Sequence, residues 1–303
     1  DARNACGEAL AIADRGLNCA LQALSWRVDI PPEDGMKPVV VFNPHSWPAK
    51  TEVSVELGAM GRDPVVLDER GMRVDVQTSA ASSTTEDNNG RFRYSFVDEL
   101  PALGYRTYRF YRADAAPKGH EVREARRRGM LEAGPDWMEN GGFRLEFDPE
   151  TGYIRRWIDK ALNAELFCGA AAVPAVVDDP SDTWSHGVRR FDKIEGYFKA
   201  ASVRLVENGP VRAAIRTVSE YGRSRLVMEF RMYRDLPQIA VKVKLDWRER
   251  RKMLKLLFPL NLRGYRPTCE IPFGHIVREA SGEEEPALSW VDYSGFLPDG
   301  RMD

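Results

Sequence analysis

The sequence is poor in the features that mark several classes of protein. It has only four cysteines in 303 residues, widely scattered and without a CxxC pair, which predicts reduced thiols and a cytoplasmic protein rather than a disulfide framework. No apolar run approaches the roughly 20 residues that span a bilayer, so no membrane segment is predicted. Glycine-rich phosphate loops and a serine nucleophile elbow are also absent.

The charge of the chain is nearly balanced. A formal net charge of −2 gives no overall electrostatic case for binding nucleic acid or an anionic membrane. One local exception is the basic run Lys118–Arg128, which we interpret as a solvated linker. With 43% hydrophobic residues, the chain is expected to fold around a substantial core rather than to be disordered.

The first 30 residues have the pattern of one amphipathic helix. Apolar side chains recur at spacings of three and four residues and form a single stripe. Its members are Leu10, Ala13, Leu17, Leu21 and Leu24. Pro31 and Pro32 should stop the helix. An isolated helix is marginal in water, so we expect this one to come from a helical bundle.

From residue 38 onward the patterns are those of β-strands. Apolar side chains alternate along several segments, including 143–147, which a turn joins to 153–158, and 239–247. We predict a small β-sandwich at 38–112, a linker at 113–135 and a large antiparallel β-sandwich at 136–303. The predicted fold class is therefore mainly β with an N-terminal helix.

Five segments occur in an order that resembles glycoside hydrolase family 38, the metal-dependent α-mannosidases. They are VVVFNPHSWP (Val39–Pro48), DDPSDTWSHG (Asp178–Gly187), KLDWRERRKMLKLLFPLNL (Lys244–Leu262), EIPFGHIVRE (Glu270–Glu279) and EEPALSWVDYSG (Glu284–Gly295). The resemblance covers roughly residues 38–295 and is to the C-terminal, non-catalytic β-domains of the family.

This resemblance implies a function that is divided between domains. In the family, a catalytic barrel N-terminal to this region holds a divalent metal of the zinc type and the Asp residues that hydrolyse α-mannosidic bonds with retention. Nothing in this sequence matches the barrel, so we assign this chain no catalytic residue, no metal ligand and no cofactor, and expect it to be inactive alone. The implied partners are that barrel and an α-mannoside, and a homo-oligomer is compatible with the sequence.

The resemblance also implies the form of the second sandwich, which should be mutarotase-like. After WVDYSG, the family sandwich continues through further strands, whereas this chain reads GFLPDGRMD. We therefore expect the second sandwich to be incomplete at its C-terminal end.

The segment Asp178–Gly187 is the best candidate for a substrate-binding site. Asp182, Trp184 and His186 place a carboxylate, an indole and an imidazole within five residues. An aromatic face can stack on a sugar ring while Asp and His bond its hydroxyl groups. The alternative is an interdomain loop in which the tryptophan packs. A zinc site on Asp178, Asp179, Asp182 and His186 is disfavoured, because Pro180 and Gly187 argue against a helix that would bring the ligands to one face.

Two other functions remain open on the sequence. A stand-alone carbohydrate-binding module would use Trp184, whereas a mutarotase-like sugar epimerase would exchange protons through His275 and Glu270. The offset of five residues puts these two on opposite faces of one regular strand, unless Pro272 and Gly274 break it.

Overall fold

A computed structural model describes residues 2–81, 90–118, 130–182, 184 and 186–301. The chain divides into two compact units, residues 1–124 and 125–303. Apart from Lys118, the basic run lies outside the described residues, as do two residues of the candidate loop, Thr183 and Ser185. The domain limits drawn from the sequence stay predictions.

The N-terminal helix forms as predicted but ends earlier. Helix α1 spans Ala2–Ser25, and the hydroxyl of Ser25 donates to the carbonyl of Leu21 at 2.7 Å in the last turn. No residue of α1 is buried, and its stripe faces solvent, with Leu10 66% and Leu17 59% exposed. In the described residues, no helix combines the length and apolar character that crossing a bilayer requires.

The first unit is a small β-sandwich, as predicted. Its strands are β1 (Met36–Asn43), β2 (Ala49–Leu57), β3 (Val65–Asp68), β4 (Arg73–Val74), β5 (Gln77–Ala80), β6 (Phe92–Leu100) and β7 (Gly104–Tyr111). They form two antiparallel sheets, with strand orders β1-β7-β3-β4 and β2-β6-β5. The sheets meet through fully buried aromatic rings, and the centroids of Phe96 on β6 and Tyr108 on β7 lie 4.6 Å apart.

The second unit is a larger assembly of antiparallel sheets. Its strands are β8 (Glu132–Ala133), β9 (Trp137–Glu139), β10 (Phe143–Phe147), β11 (Ile154–Asp159), β12 (Ala164–Glu165), β13 (Val173–Asp178), β14 (Ile194–Tyr197), β15 (Lys199–Asn208), β16 (Arg212–Tyr221), β17 (Ser224–Tyr233), β18 (Ile239–Asp246), β19 (Lys252–Leu257), β20 (Arg263–Ile271), β21 (Gly274–Val277) and β22 (Val291–Phe296). The strand orders are β12-β11-β10-β9-β8, β14-β13-β19, β15-β16-β17-β18 and β21-β20-β22.

One core joins the first three of these sheets. The predicted hairpin is present as β10 and β11, and the ring of Phe147 on β10 lies 4.9 Å from that of Phe230 on β17. Both rings are buried, together with Val176 on β13. Alternating strands that share a single core confirm the prediction of a large antiparallel sandwich.

Two strands of this unit differ from the pattern read in the sequence. Val241, Val243 and Leu245 pair in register with buried residues of β17, yet they are 40–46% exposed, because β18 lies at the edge of its sheet. Strand β19 ends at Leu257 and is half-buried along its length. Apolar alternation in the sequence therefore predicts which face of the sheet a side chain lies on, but not how deeply it is buried.

Candidate functional site

The candidate loop begins at the end of a buried strand and has a fixed base. The backbone amide of Asp178 donates to the carbonyl of Lys193 at 2.9 Å. The side-chain ammonium of Lys193 in turn donates to the Asp178 carboxylate at 2.8 Å. On the other side, the amide of Asp179 donates to the carbonyl of Arg251 at 3.0 Å. The loop thus begins at the end of strand β13. Its base is held by Lys193 and Arg251, the residues that directly precede β14 and β19.

Asp182 organises the tip of the loop. One carboxylate oxygen, Oδ1, accepts the backbone N–H of Trp184 at 3.0 Å, which is an Asx turn. The other, Oδ2, lies 2.9 Å from Nδ1 of His186. The chain then leaves the tip through Gly187, whose φ of 73° is the left-handed conformation that glycine adopts without steric cost. A short Asp-led turn therefore brings the three residues predicted from the sequence together.

All three side chains project into solvent. Trp184 is 81% exposed, and the side chains of His186 and Asp182 are 77% and 54% exposed. The carboxylate fixes the imidazole through Nδ1, which leaves Nε2 directed away from Asp182 and able to bond a ligand. Beside it stands an indole face with no packing partner in the described residues. This combination suits the polar edge and the apolar face of a sugar ring.

A second loop holds the segment that follows the tip. The amide of Glu284 donates to the carbonyl of Arg189 at 2.9 Å, while the Glu284 carboxylate accepts the amide of Phe191 at 3.2 Å and pairs with Lys255. Arg190 also donates to the carbonyl of Ser281 at 2.7 Å. Sequence reasoning missed this support, because the partners lie about 90 residues apart and only a run of two arginines and a run of three glutamates hinted at it.

The two main grooves among the described residues lie away from the loop. A groove of about 870 Å³ lies in the first unit between α1 and the strands β1 and β2, and an apolar groove of about 570 Å³ in the second unit is lined by Tyr153, Tyr197 and Phe258. Neither groove contains a residue of the loop. Sugar sites usually bury most of the ligand in a concave surface, so this convex loop needs a second surface opposite it.

The geometry also bears on the metal alternative. Asp178 is turned towards Lys193 and is not grouped with Asp182 and His186. Among the residues that the structure describes, no three His, Cys, Asp or Glu side chains are clustered as a metal site requires.

Glu270 and His275 are arranged differently from the single regular strand considered in the sequence. Strands β20 and β21 form a hairpin in which Glu270 and His275 are directly opposite, so they share one face rather than lying on opposite faces. Within the described part of the chain their side chains do not hydrogen-bond to each other. The Glu270 carboxylate instead accepts the amide of Ser289 at 2.6 Å, and the His275 ring lies 6.5 Å from that of Trp290. The glutamate therefore anchors a backbone segment in this structure.

Comparisons with known proteins place the second unit in a described family. The model "Glycosyl hydrolases family 38 C-terminal domain" matches residues 138–296, about half of the chain. No curated protein sequence matches the chain.

A solved structure also resembles the fold. An alpha-mannosidase from Enterococcus faecalis V583 superposes with a TM-score of 0.65 at 14% identity, over 93% of this chain and 41% of that one. This likeness shows the fold alone. The chain thus spans less than half the length of the solved relative that it resembles.

Proposed function

Since this chain belongs to glycosyl hydrolase family 38 through its C-terminal domain, we propose that it is the non-catalytic β-region of an α-mannosidase. It packs beside a catalytic domain, and the loop of residues 178–187 completes the sugar pocket of that domain. The observation that supports this proposal is the shape of the loop, in which Asp182, Trp184 and His186 are held in place and yet exposed on a convex tip.

The chemistry of the loop side chains suits binding of the sugar but not hydrolysis of the glycosidic bond. Hydrolysis of a glycosidic bond needs two carboxylates that flank it, and a carboxylate engaged by both His186 and the Trp184 amide is not such a pair. The loop can instead stack Trp184 on one face of the mannose ring and bond a hydroxyl group through His186. A divalent metal and the catalytic carboxylates belong, in this proposal, to the catalytic domain.

Helix α1 supplies a second contact with the rest of the enzyme. Three leucines of its stripe, Leu10, Leu17 and Leu24, are exposed, and no residue of the helix is buried. Such a surface is stable in water when other helices cover it. We therefore assign the stripe to a helical segment of the longer protein. The location that we propose is the cytoplasm, because all four cysteines are free thiols and three of them are exposed.

The test begins with this chain and mannose. Saturation-transfer NMR at millimolar sugar should show neither binding nor faster anomeric exchange, because half of the pocket is absent. Binding that disappears in Trp184→Ala would instead establish a free-standing carbohydrate-binding module. Faster anomeric exchange that is lost in His275→Gln would establish an epimerase.

The second step measures the longer protein that includes the catalytic domain. Trp184→Ala should lower kcat/KM for an α-mannoside at least tenfold, about 1.4 kcal/mol of transition-state stabilisation, without changing the unfolding midpoint. Phe273→Ala is the matched control, since it removes a fully exposed aromatic ring from another hairpin of the same unit. Equal activity of wild type and Trp184→Ala would leave the region as a scaffold and refute the pocket role.

A further inference from the structure

One face of the β15–β18 sheet carries a row of charged side chains across all four strands. Arg204, Arg216, Glu229 and Lys242 are direct partners in consecutive strand pairs, so they lie side by side on one face. The next row, Leu205, Ile215, Phe230 and Val241, is on the core side, which places the charged row on the outer face. Three strand spacings make the row about 14 Å long.

Glu229 holds two of these arginines in a fixed geometry. Its Oε2 accepts Nε and Nη2 of Arg216 at 3.1 and 2.6 Å, and its Oε1 accepts Nε and Nη2 of Arg231 at 2.8 and 2.6 Å. The Glu229 side chain is largely buried and only 11% exposed, whereas the Arg216 side chain is 47% exposed. In the described residues, Nη1 of both guanidinium groups has no partner, so two oriented donor edges remain available for an anion.

The face has more positive charge than its own carboxylates neutralise. Arg204, Lys242 and Lys244 make no ion pair with any described residue, and all three are exposed. Glu207, at the margin of the face, is already held by Arg212 at 2.8 and 3.0 Å. In and next to this row, the five cationic side chains of Arg204, Arg216, Arg231, Lys242 and Lys244 therefore outnumber the carboxylate of Glu229. The face also carries Glu220 and Asp246, which lie further along the strands, each directly opposite Arg225.

The pairing of Arg204 with Arg216 is itself informative. Like charges directly opposite each other on neighbouring strands destabilise a sheet. A bound anion would relieve this repulsion and would engage the arginine edges that Glu229 leaves open. The row is longer than one phosphate or sulfate group, which favours a ligand that has at least two of them.

We propose that the outer face of the β15–β18 sheet is a binding site for phosphate or sulfate groups, centred on Arg204, Arg216, Arg231 and Lys242. The groups are carried by a saccharide or by a polyphosphate. This site is separate in the sequence and in its chemistry from the loop of residues 178–187, and it does not depend on the function proposed for that loop.

Isothermal titration of this chain with a heparin tetrasaccharide, tripolyphosphate and inorganic phosphate tests the site. We expect the two multivalent probes to bind more tightly than inorganic phosphate and to weaken as the salt concentration rises. Preference for the tetrasaccharide or for tripolyphosphate identifies the carrier. Arg216→Gln should weaken binding about tenfold or more, because it removes a charge-assisted, bidentate donor. Arg204→Thr should also weaken binding, while raising the unfolding midpoint of the free protein through loss of the like-charge pair.

The matched control is Lys50→Gln, which removes one exposed positive charge from β2 in the first unit and should bind as the wild type does. Two results would overturn the proposal. One is the absence of binding by all three probes at low salt. The other is an equal loss of affinity in Lys50→Gln and Arg216→Gln, which would reduce the effect to net charge.

Discussion

The carboxylate of Asp182 should determine whether the tip of the candidate loop is ordered. Both of its oxygens are engaged, one by the amide of Trp184 at 3.0 Å and one by Nδ1 of His186 at 2.9 Å. Asp182→Ala removes both contacts at once. The side chain is 54% exposed, so its loss leaves no buried group unpaired and no cavity behind.

The size of the effect follows from this exposure. A hydrogen bond contributes about 0.5–1.5 kcal/mol net, with the lower end applying where water can replace the partner. The contact with Nδ1 of His186 is equally exposed to water and contributes at the lower end of the same range. Together these give about 1 kcal/mol for closing the loop, a change of roughly five- to tenfold in its opening equilibrium. The stability of the whole unit should hardly change, because loops open locally without global unfolding.

Hydrogen exchange measures this opening directly. At pH 7, the amide of Trp184 should exchange five to ten times faster in Asp182→Ala than in the wild type, with the unfolding midpoint unchanged. Ser181→Ala is a control within the same loop, because its hydroxyl makes only a long contact of 3.4 Å with the His186 carbonyl. It should change exchange by less than twofold. Equal Trp184 exchange in Asp182→Ala and wild type, or a fall of several degrees in the midpoint, would refute the reasoning.

Three further outcomes are expected. Phe273→Gly should raise the free energy of unfolding by about 0.5–1 kcal/mol in urea titrations, since Phe273 has a φ of 65° and its ring is fully exposed; an unchanged or lower value would contradict this. Burial raises the pKa of Tyr94 to about 12, so the neutral phenol stabilises the first unit below pH 10 and this contribution is lost as the pH rises from 10 to 12. Tyr94→Phe should therefore lose less stability between pH 9 and 11 than the wild type, and an identical loss would argue against the assignment. Burial acts to raise the pKa of Glu146, but hydrogen bonds from Arg144 and Arg155 outweigh it and leave the pKa below its usual value. The stability that this ionised carboxylate adds is present above about pH 4.5 and is lost as the pH falls through the folded-state pKa, so Glu146→Gln should flatten the decline in urea midpoint between pH 5 and 3.

Local patterns in the sequence determined the fold class and several of the elements. The stripe from Leu10 to Leu24 predicted α1, and alternation around Phe147 and along residues 239–247 predicted β10 and β18. Such patterns are reliable because a one-sided element must repeat its apolar residues at the period of its own backbone. The proximity of Asp182, Trp184 and His186 could also be predicted from the sequence. Asp182 bonds to residues two and four positions along the chain, and an Asx turn needs no distant partner.

The tertiary structure decided everything that depends on which strands pair and in which register. A hairpin placed Glu270 and His275 on one face, although their offset in a single strand would separate them. The alignment of Arg204, Arg216, Glu229 and Lys242 arises only when four strands pair in one register. Register is selected by the burial of the whole opposite face against a distant sheet, and no local segment contains that information. The sequence by itself therefore determined the kinds of elements and the turn at the tip of one loop, whereas the packing of distant strands determined which charges meet.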